Sequence, residues 1–128
     1  MKILITDDDP TNRMLLREML GMLKVSIFEA TTGKEAIVAA KQEVPDLILM
    51  DHTMPEMLGY DAMKEIRKDD RLKNTPFVMI TGDFEIQEYQ ENDAVEKCAF
   101  LPKPYSLDQL FFTIGRAMGK KFPPADIK

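Results

Sequence analysis

Five polar side chains of the 128-residue sequence have the types and spacing that phosphate chemistry needs: Asp7, Asp8, Asp51, Thr81 and Lys103. Three neighbouring carboxylates repel one another, and a hard divalent cation with oxygen ligands, such as Mg²⁺, relieves that repulsion. The charges of three carboxylates, one such cation and one lysine ammonium then cancel. An incoming phosphoryl group can be met by the cation, the ammonium and a threonine hydroxyl. Because carboxylate attack on phosphorus gives an aspartyl phosphate, this set predicts a phosphoryl acceptor.

Each of these side chains follows a short apolar run, and the run before Asp51 is the clearest. Residues 47–50 are apolar without interruption and are bounded by Pro45, Asp46 and Pro55. That pattern predicts a strand buried on both faces. Since the carboxyl ends of parallel strands meet at one edge of a sheet, we expect all five polar side chains to lie together at that edge.

Five predicted strands alternate with five predicted helices, which indicates an α/β fold with a doubly wound parallel sheet covered on both faces. Three helix starts carry capping residues: an aspartate before Pro10, and capping-box sequences at residues 32–35 and 106–109. The fourth helix is predicted in the polar segment 84–92. Two strand orders are common for such sheets, and the pattern alone favours neither.

The composition describes one acidic domain. Lysine and arginine number 17 against 22 aspartates and glutamates, a net charge of −5, and no basic stripe indicates nucleic-acid binding. The sequence lacks a signal peptide and a membrane-length apolar segment, and its single cysteine, Cys98, suits a reducing compartment, so we expect a cytoplasmic protein. We expect a domain over residues 1–119 and a frayed tail or linker stub at 120–128, which contains Pro123 and Pro124.

Together these motifs resemble the receiver domain of two-component response regulators, of the stand-alone chemotaxis type. The resemblance extends to about Gly119 and rests on Asp7-Asp8, Asp51 with Met54-Pro55 and Gly59, Thr81, and Lys103-Pro104. It implies a flavodoxin-like sheet with the strand order 2-1-3-4-5. It also implies that Asp51 takes a phosphoryl group from a phosphohistidine of a histidine kinase or histidine phosphotransfer protein. Such a domain promotes only its own phosphorylation and dephosphorylation, so it is not counted as an enzyme.

The resemblance assigns the ligands of the cation. Asp8, Asp51 and the main-chain carbonyl of Thr53 would bind Mg²⁺ directly, and Asp7 would act mainly through a water on the ion. Mn²⁺ can take the same place, since it also prefers oxygen ligands.

The resemblance also assigns a switch. Lys103, joined to Pro104 by a cis peptide bond, would bridge Asp51 and later its phosphate. Thr81 would move toward the phosphate and let Phe100 turn inward, which would alter an output face made by the fourth helix, fifth strand and fifth helix. Many members have a tyrosine at this place. A phenylalanine has no polar tip, so we expect Phe100 to favour the inward position.

Other residues would tune the phosphate lifetime and the choice of donor. Thr53 and Asp83 would control the access of water to the phosphate. Met14 and Leu15, with Pro104, would form an apolar docking patch for the donor, because residues 12–16 resemble receivers that are fed by phosphotransfer domains. We expect a monomer or weak dimer with no nucleic-acid or membrane partner.

Plainer interpretations of single residues stay open. The aspartates at 7–9 also suit a helix N-terminus through the helix dipole. His52 suits a neutral neighbour of Asp51 better than a zinc site, which needs several nitrogen or sulfur ligands. Cys98 and most methionines, with Met14 as a candidate exception, suit core positions. Phe112 falls off the inward stripe of the last helix, either as a lone exposed aromatic or as part of a partner face.

Two other functions use a related sheet. A Mg²⁺-dependent phosphatase of the haloacid-dehalogenase type also forms an aspartyl phosphate. Such enzymes usually carry a second aspartate two residues after the nucleophile, where this sequence has Thr53. A flavin-binding carrier needs a Ser-, Thr- or Gly-rich phosphate loop after the first strand, where Asp7, Asp8 and Asp9 would repel the flavin phosphate. The residues favour the receiver over both.

Overall fold

The computed structural model of the chain describes residues 1–82 and 97–128. Within these ranges, five strands form one parallel sheet in the order β2-β1-β3-β4-β5. The strands are β1 (Lys2–Thr6), β2 (Ser26–Ala30), β3 (Leu47–Asp51), β4 (Phe77–Thr81) and β5 (Cys98–Pro102). The α/β class and the expected strand order 2-1-3-4-5 are therefore confirmed.

β3 lies at the centre of the sheet, between β1 and β4. All five of its residues are buried, as its uninterrupted apolar run predicts. Ile48 pairs with Leu4 on one side and with Phe77 on the other. Asp51 is the last residue of β3 and pairs with Ile80. The backbone of Asp51 is thus held in the sheet, while its side chain stands at the carboxyl edge.

The helices of the described residues are α1 (Pro10–Leu20), α2 (Gly33–Glu43), α3 (Gly59–Ile66) and α4 (Leu107–Met118), with a short 3₁₀ helix at Ala125–Ile127. α4 is the helix that the sequence predicts as the fifth. The predicted fourth helix, at 84–92, lies outside the described residues, as does Asp83. No helix within 1–82 and 97–128 has the length and apolar character needed to cross a membrane.

Side-chain caps explain where three of the helices begin. The Asp9 carboxylate accepts a hydrogen bond from the Thr11 N–H at 2.9 Å, and Pro10 occupies the first turn of α1. Ser106 and Gln109 form the predicted capping box of α4. The box predicted for α2 is only half formed. Its Glu35 carboxylate accepts from the Thr31 N–H, one residue before the cap, and from the Thr31 hydroxyl.

Two apolar clusters cover the two faces of the sheet. Because successive strand residues point to opposite faces, alternate residues of β1 and β3 enter different clusters. The first cluster contains Ile3, Ile5, Leu47 and Leu49 with Leu16 and Leu20 of α1 and Leu110 and Ile114 of α4. The second contains Leu4, Ile48 and Met50 with Ala36 and Ala40 of α2 and Ala62, Met63 and Ile66 of α3. The sheet is thereby fixed between two pairs of helices.

The tail after α4, which the sequence suggests is a frayed end or linker stub, packs against the domain. Phe122 and Ile127 are buried in the same cluster as α1 and α4. The Lys24 N–H donates a hydrogen bond to the Ile127 carbonyl oxygen at 2.7 Å. The prolines of the tail suggest a loop, but burying two large apolar side chains stabilises a docked tail.

Candidate metal and phosphate site

Three carboxylates meet at the carboxyl edge of the sheet. β1 and β3 are neighbours with Thr6 opposite Met50, so Asp7 and Asp51 follow at the same height. One carboxylate oxygen from each of Asp7, Asp8 and Asp51 lies within 4.8 Å of the other two. Asp7 is 3% exposed and Asp51 6% exposed, whereas Asp8 faces solvent. The predicted convergence of these residues is therefore present in the structure.

Lys103 supplies a positive charge to this cluster. Its Nζ atom lies 3.4 Å from Oδ1 of Asp51, and its side chain is partly exposed. Burial nevertheless raises the pKa of Asp51 from 3.8 to about 6, and the negative charge of Asp7 adds to the rise, while Lys103 opposes it. One ammonium is thus insufficient to offset the burial and mutual repulsion of these carboxylates.

Asp7 is positioned by its own helix start. Its Oδ1 accepts a hydrogen bond from the Asp9 N–H at 2.9 Å, and the Asn12 side chain donates a further one. Burial raises the pKa of Asp7, and these hydrogen bonds and Lys103 lower it in part. Arg13 donates from Nη1 to the Asp7 carbonyl oxygen at 2.6 Å and so ties α1 to the end of β1.

The loop after β3 passes close behind the phosphoacceptor candidate. The Gly59 N–H donates to the His52 carbonyl oxygen at 2.8 Å. A Cβ on Gly59 would stand 2.6 Å from the Asp51 carbonyl oxygen and 2.8 Å from the Met79 sulfur. Only glycine fits there without displacing neighbours, which gives a physical reason for this part of the motif. Thr53 is exposed within the same loop.

β4 and β5 bring the remaining two groups of the predicted set to this edge. Thr81 is buried at the end of β4, opposite Pro102. The Lys103 N–H donates to the Thr81 carbonyl oxygen at 2.8 Å, which fixes the two strand ends together. The peptide bond between Lys103 and Pro104 is cis, as predicted.

Two aromatic side chains flank these groups. Phe100 is partly buried and packs against the cluster beneath α2 and α3. Tyr105 is partly buried, and the pKa of its hydroxyl is raised by burial and by the negative charges of Asp7 and Asp51. Sequence reasoning missed Tyr105. Its only signal was its place directly after Lys103-Pro104, which carries an aromatic toward the carboxylates.

The proposed donor patch is only partly assembled. Met14 and Leu15 are both exposed on α1. Leu15 lines a groove of about 240 Å³ together with Lys103, Pro104 and Tyr105. Met14 does not line it. The structure therefore brings Leu15 and Pro104 together and leaves Met14 apart from them.

The donor set fits Mg²⁺ by its chemistry. Hard cations of this size take oxygen ligands, commonly one or two carboxylates with several waters. Here the carboxylates cluster, two of them are buried, and burial raises the pKa of both buried ones. A divalent cation between them would favour their charged forms and so oppose those shifts. Across residues 1–82 and 97–128, this is the group of carboxylates suited to hold such an ion.

The sequence matches a family model over most of its length. Residues 3–114 match the model described as the response regulator receiver domain. The chain is 31% identical over 118 residues to the sensor histidine kinase CheAY of Helicobacter pylori, which covers 91% of this chain and 15% of that protein. It is 30% identical to the polar-differentiation response regulator DivK of Brucella anthropi, over 91% of this chain and 95% of that protein. The chain thus spans a small part of some relatives and nearly all of others.

A solved structure agrees with the match. The receiver domain of a sensor histidine kinase from Pseudomonas aeruginosa, which has a magnesium ion coordinated in its active-site cleft, is 28% identical with a TM-score of 0.78. The comparison covers 93% of this chain and 98% of that one. These matches do not favour the phosphatase or the flavin carrier. The chain therefore belongs to the family of response regulator receiver domains, the phosphoacceptor signalling modules of two-component systems.

Proposed function

We propose that Asp51 is the residue that accepts the phosphoryl group, with a phosphohistidine of a histidine kinase or phosphotransfer protein as the donor. One observation carries the assignment. Asp51 is the buried carboxylate that lies both 3.4 Å from the Lys103 ammonium and within 4.8 Å of the Asp7 and Asp8 oxygens. Receiver domains take phosphoryl groups from sensor histidine kinases, and this position joins the acceptor to the groups that neutralise charge.

Asp51 is available as a nucleophile at neutral pH. With a pKa of about 6, it is ionised at pH 7 in roughly nine molecules of ten. Its oxygen forms the new bond to phosphorus, while the phosphorus–nitrogen bond of the phosphohistidine breaks. The leaving imidazole nitrogen keeps the electron pair of that bond and takes up a proton. Because Asp51 ends a strand that is paired on both sides, its carboxylate is held in place for this attack.

The three carboxylates would hold Mg²⁺, with the main-chain carbonyl of Thr53 as a further ligand. Receiver domains bind Mg²⁺ at an acidic pocket, and the Pseudomonas aeruginosa relative has that ion in its cleft. When bound, the cation neutralises negative charge on the carboxylates and the phosphoryl oxygens. Asp7 and Asp8 would place the ion beside Asp51, and Lys103 would offer its ammonium to the transferred phosphoryl group.

Thr81 and Phe100 form the proposed switch. The Thr81 hydroxyl donates to the phosphate, and Phe100 then fills the space beside β4, which alters the surface of β5 and α4; the predicted fourth helix of this face lies outside the described residues. This surface is the proposed output face. Thr53 controls the access of water to the phosphate and so its lifetime, a role also proposed for Asp83.

The donor is proposed to dock in the groove lined by Leu15, Pro104 and Tyr105. This groove opens next to Lys103, so a histidine carried by a docked helix would approach Asp51 from that side. All groups named in the chemistry come from one chain, which is in keeping with a monomer or weak dimer. Burial raises the pKa of the Cys98 thiol to about 11, and a single cysteine is in keeping with the cytoplasm proposed as its compartment.

Intact-mass analysis after incubation with phosphoramidate tests the assignment, because this small donor has the same phosphorus–nitrogen bond. We expect one added phosphoryl group that requires Mg²⁺ and is absent from Asp51→Asn. Asp70→Asn is the matched control, because it makes the same change from carboxylate to carboxamide at an exposed position, and it should keep the adduct. An adduct that persists in Asp51→Asn refutes the assignment. If no adduct accumulates, steady release of inorganic phosphate from the wild type but not from Asp51→Asn still supports it, and no release from either contradicts it.

A further inference from the structure

The C-terminal tail and α4 enclose a groove that has no part in the phosphoacceptor chemistry. The groove has a volume of about 650 Å³. Gly119 ends α4 with a φ of +71°, a conformation that favours glycine, and turns the chain back. A Cβ on Gly115 would stand 2.9 Å from the Lys120 carbonyl oxygen, so glycine there lets the tail run close to the helix. We call this surface the tail groove.

The wall and floor of the tail groove are aromatic. Phe111 and Phe122 contact edge to face, with ring centroids 5.3 Å apart and an interplanar angle of 80°. Phe122 is buried, which holds the tail in place. Phe112 stands on the open side and is 69% exposed. A solvent-exposed phenylalanine beside a concave apolar surface is the arrangement that buries an apolar side chain of a partner.

The rim of the tail groove is basic. Arg116, Lys120 and Lys121 line it and are exposed, against one acidic side chain, Asp108. The chain as a whole carries a net charge of −5. The groove is thus a local positive patch around an apolar floor on an acidic protein. Charge complementarity therefore selects an acidic partner and disfavours a basic one.

The tail groove is distinct from the donor groove and from the carboxylate cluster, although α4 also forms part of the proposed output face. It shares no lining residue with the groove of Leu15, Pro104 and Tyr105 or with the carboxylate cluster. Binding there does not require an aspartyl phosphate. Its test can therefore fail or succeed independently of the phosphoacceptor assignment.

We propose that the tail groove binds an acidic amphipathic segment of a partner protein. The apolar side chains of that segment cover Phe112 and the floor, and its carboxylates face Arg116, Lys120 and Lys121. The exposed aromatic supplies the anchor, and the basic rim supplies selectivity and a faster association.

Fluorescence anisotropy with two labelled peptides tests the proposal on the full chain. One peptide is an amphipathic helix with leucines on one face and glutamates on the other, and the second carries lysines in place of the glutamates. We expect the glutamate peptide to bind and the lysine peptide to bind at least about tenfold more weakly. The amide NMR signals of Gly115, Gly119, Lys120 and Lys121 should shift on addition of the glutamate peptide.

Variants locate the binding on the groove. Phe112→Ala and the charge reversal Lys120→Glu/Lys121→Glu should each weaken binding about tenfold. Val38→Ala, another exposed apolar residue, and Lys34→Glu/Lys73→Glu are the matched controls and should leave it unchanged. The proposal is overturned by equal binding of both peptides, by NMR shifts elsewhere, or by no binding at millimolar peptide. Self-association of the free protein that Phe112→Ala abolishes would assign the groove to a second copy and equally overturn it.

Discussion

The Nζ atom of Lys103 lies 3.4 Å from Oδ1 of Asp51, although 52 residues separate the two in sequence. The contact follows from the sheet, because β3 and β5 flank β4 and their carboxyl ends meet at one edge. It brings the one ammonium of this cluster to the carboxylate with the strongly raised pKa. The pair therefore places the positive charge of Lys103 beside the proposed phosphoacceptor, Asp51.

Removing that ammonium should raise the pKa of Asp51 further. Lys103 lowers this pKa, so Lys103→Met should move it above about 6. A carbon-detected NMR titration of the Asp51 carboxyl in the metal-free protein measures the shift. Lys34→Met, which removes an exposed ammonium on α2, serves as the control. An Asp51 pKa that is the same in Lys103→Met and in wild type would show that the ion pair does not form in solution.

The burial of Asp51 should cost stability at neutral pH. Its folded pKa of about 6 exceeds the ordinary 3.8, so the folded state holds the proton more tightly between these values. The free energy of unfolding should then fall as the pH rises from about 4 to about 6. Asp51→Asn, which removes the charge, should be more stable than wild type by roughly 3 kcal/mol at pH 7, and the difference should become small near pH 4. Urea denaturation with a metal chelator measures both, and a constant difference across this range would contradict the prediction.

Mg²⁺ should stabilise the folded protein through the same carboxylates. A ligand that binds only the folded state raises the melting temperature, and the effect grows with its concentration. We expect a rise with millimolar Mg²⁺ in wild type and a much smaller one in Asp8→Asn. Asp8 is exposed, so this variant should fold normally without the ion. Differential scanning calorimetry reads the shift, with Asp70→Asn as the control. Equal stabilisation of Asp8→Asn and wild type would place the ion elsewhere.

Gly59 should tolerate no side chain. In Gly59→Ala the new methyl group meets the Asp51 carbonyl oxygen at 2.6 Å and the Met79 sulfur at 2.8 Å, so neighbouring atoms must shift. We expect a loss of about 1–3 kcal/mol of unfolding free energy by urea denaturation. Gly82→Ala is the matched control, because a Cβ there meets nothing within 4 Å. Similar losses in both variants would point to a general effect of losing glycine.

The tail should contribute to stability through one phenylalanine and not the other. Phe122 is 7% exposed and Phe112 69% exposed. Phe122→Ala should lower the free energy of unfolding by about 3 kcal/mol, and Phe112→Ala by less than about 0.5 kcal/mol. Urea denaturation distinguishes the two, and a negligible effect of Phe122→Ala would mean that the tail is undocked in solution.

The strand ends and their polar residues could be predicted because each depends on a local pattern. The run at residues 47–50 predicts β3, and the fold then determines that Asp51 meets Asp7. What could not be predicted depends on contacts between distant segments. Phe122 and Ile127 read as parts of a proline-containing loop until the cluster that receives them is known. Likewise, the sequence suggests both Met14 and Leu15 for docking, and only the course of α1 shows that, of these two, it is Leu15 that lines the groove with Pro104. The capping-box pattern at residues 32–35 predicts that Glu35 binds the Thr32 N–H, whereas in the structure it binds the Thr31 N–H.

The central place of β3 has a mechanical consequence. Asp51 belongs to a strand whose backbone is bonded on both sides, whereas Lys103 follows β5, which lies at the edge of the sheet and pairs with β4 alone. A charge added to Asp51 therefore acts at a point that is held from both sides, and we expect the displacement it causes to fall mainly on Lys103 and the turn after β5. A probe attached beside Tyr105, in the turn that follows Lys103, should therefore report the state of Asp51.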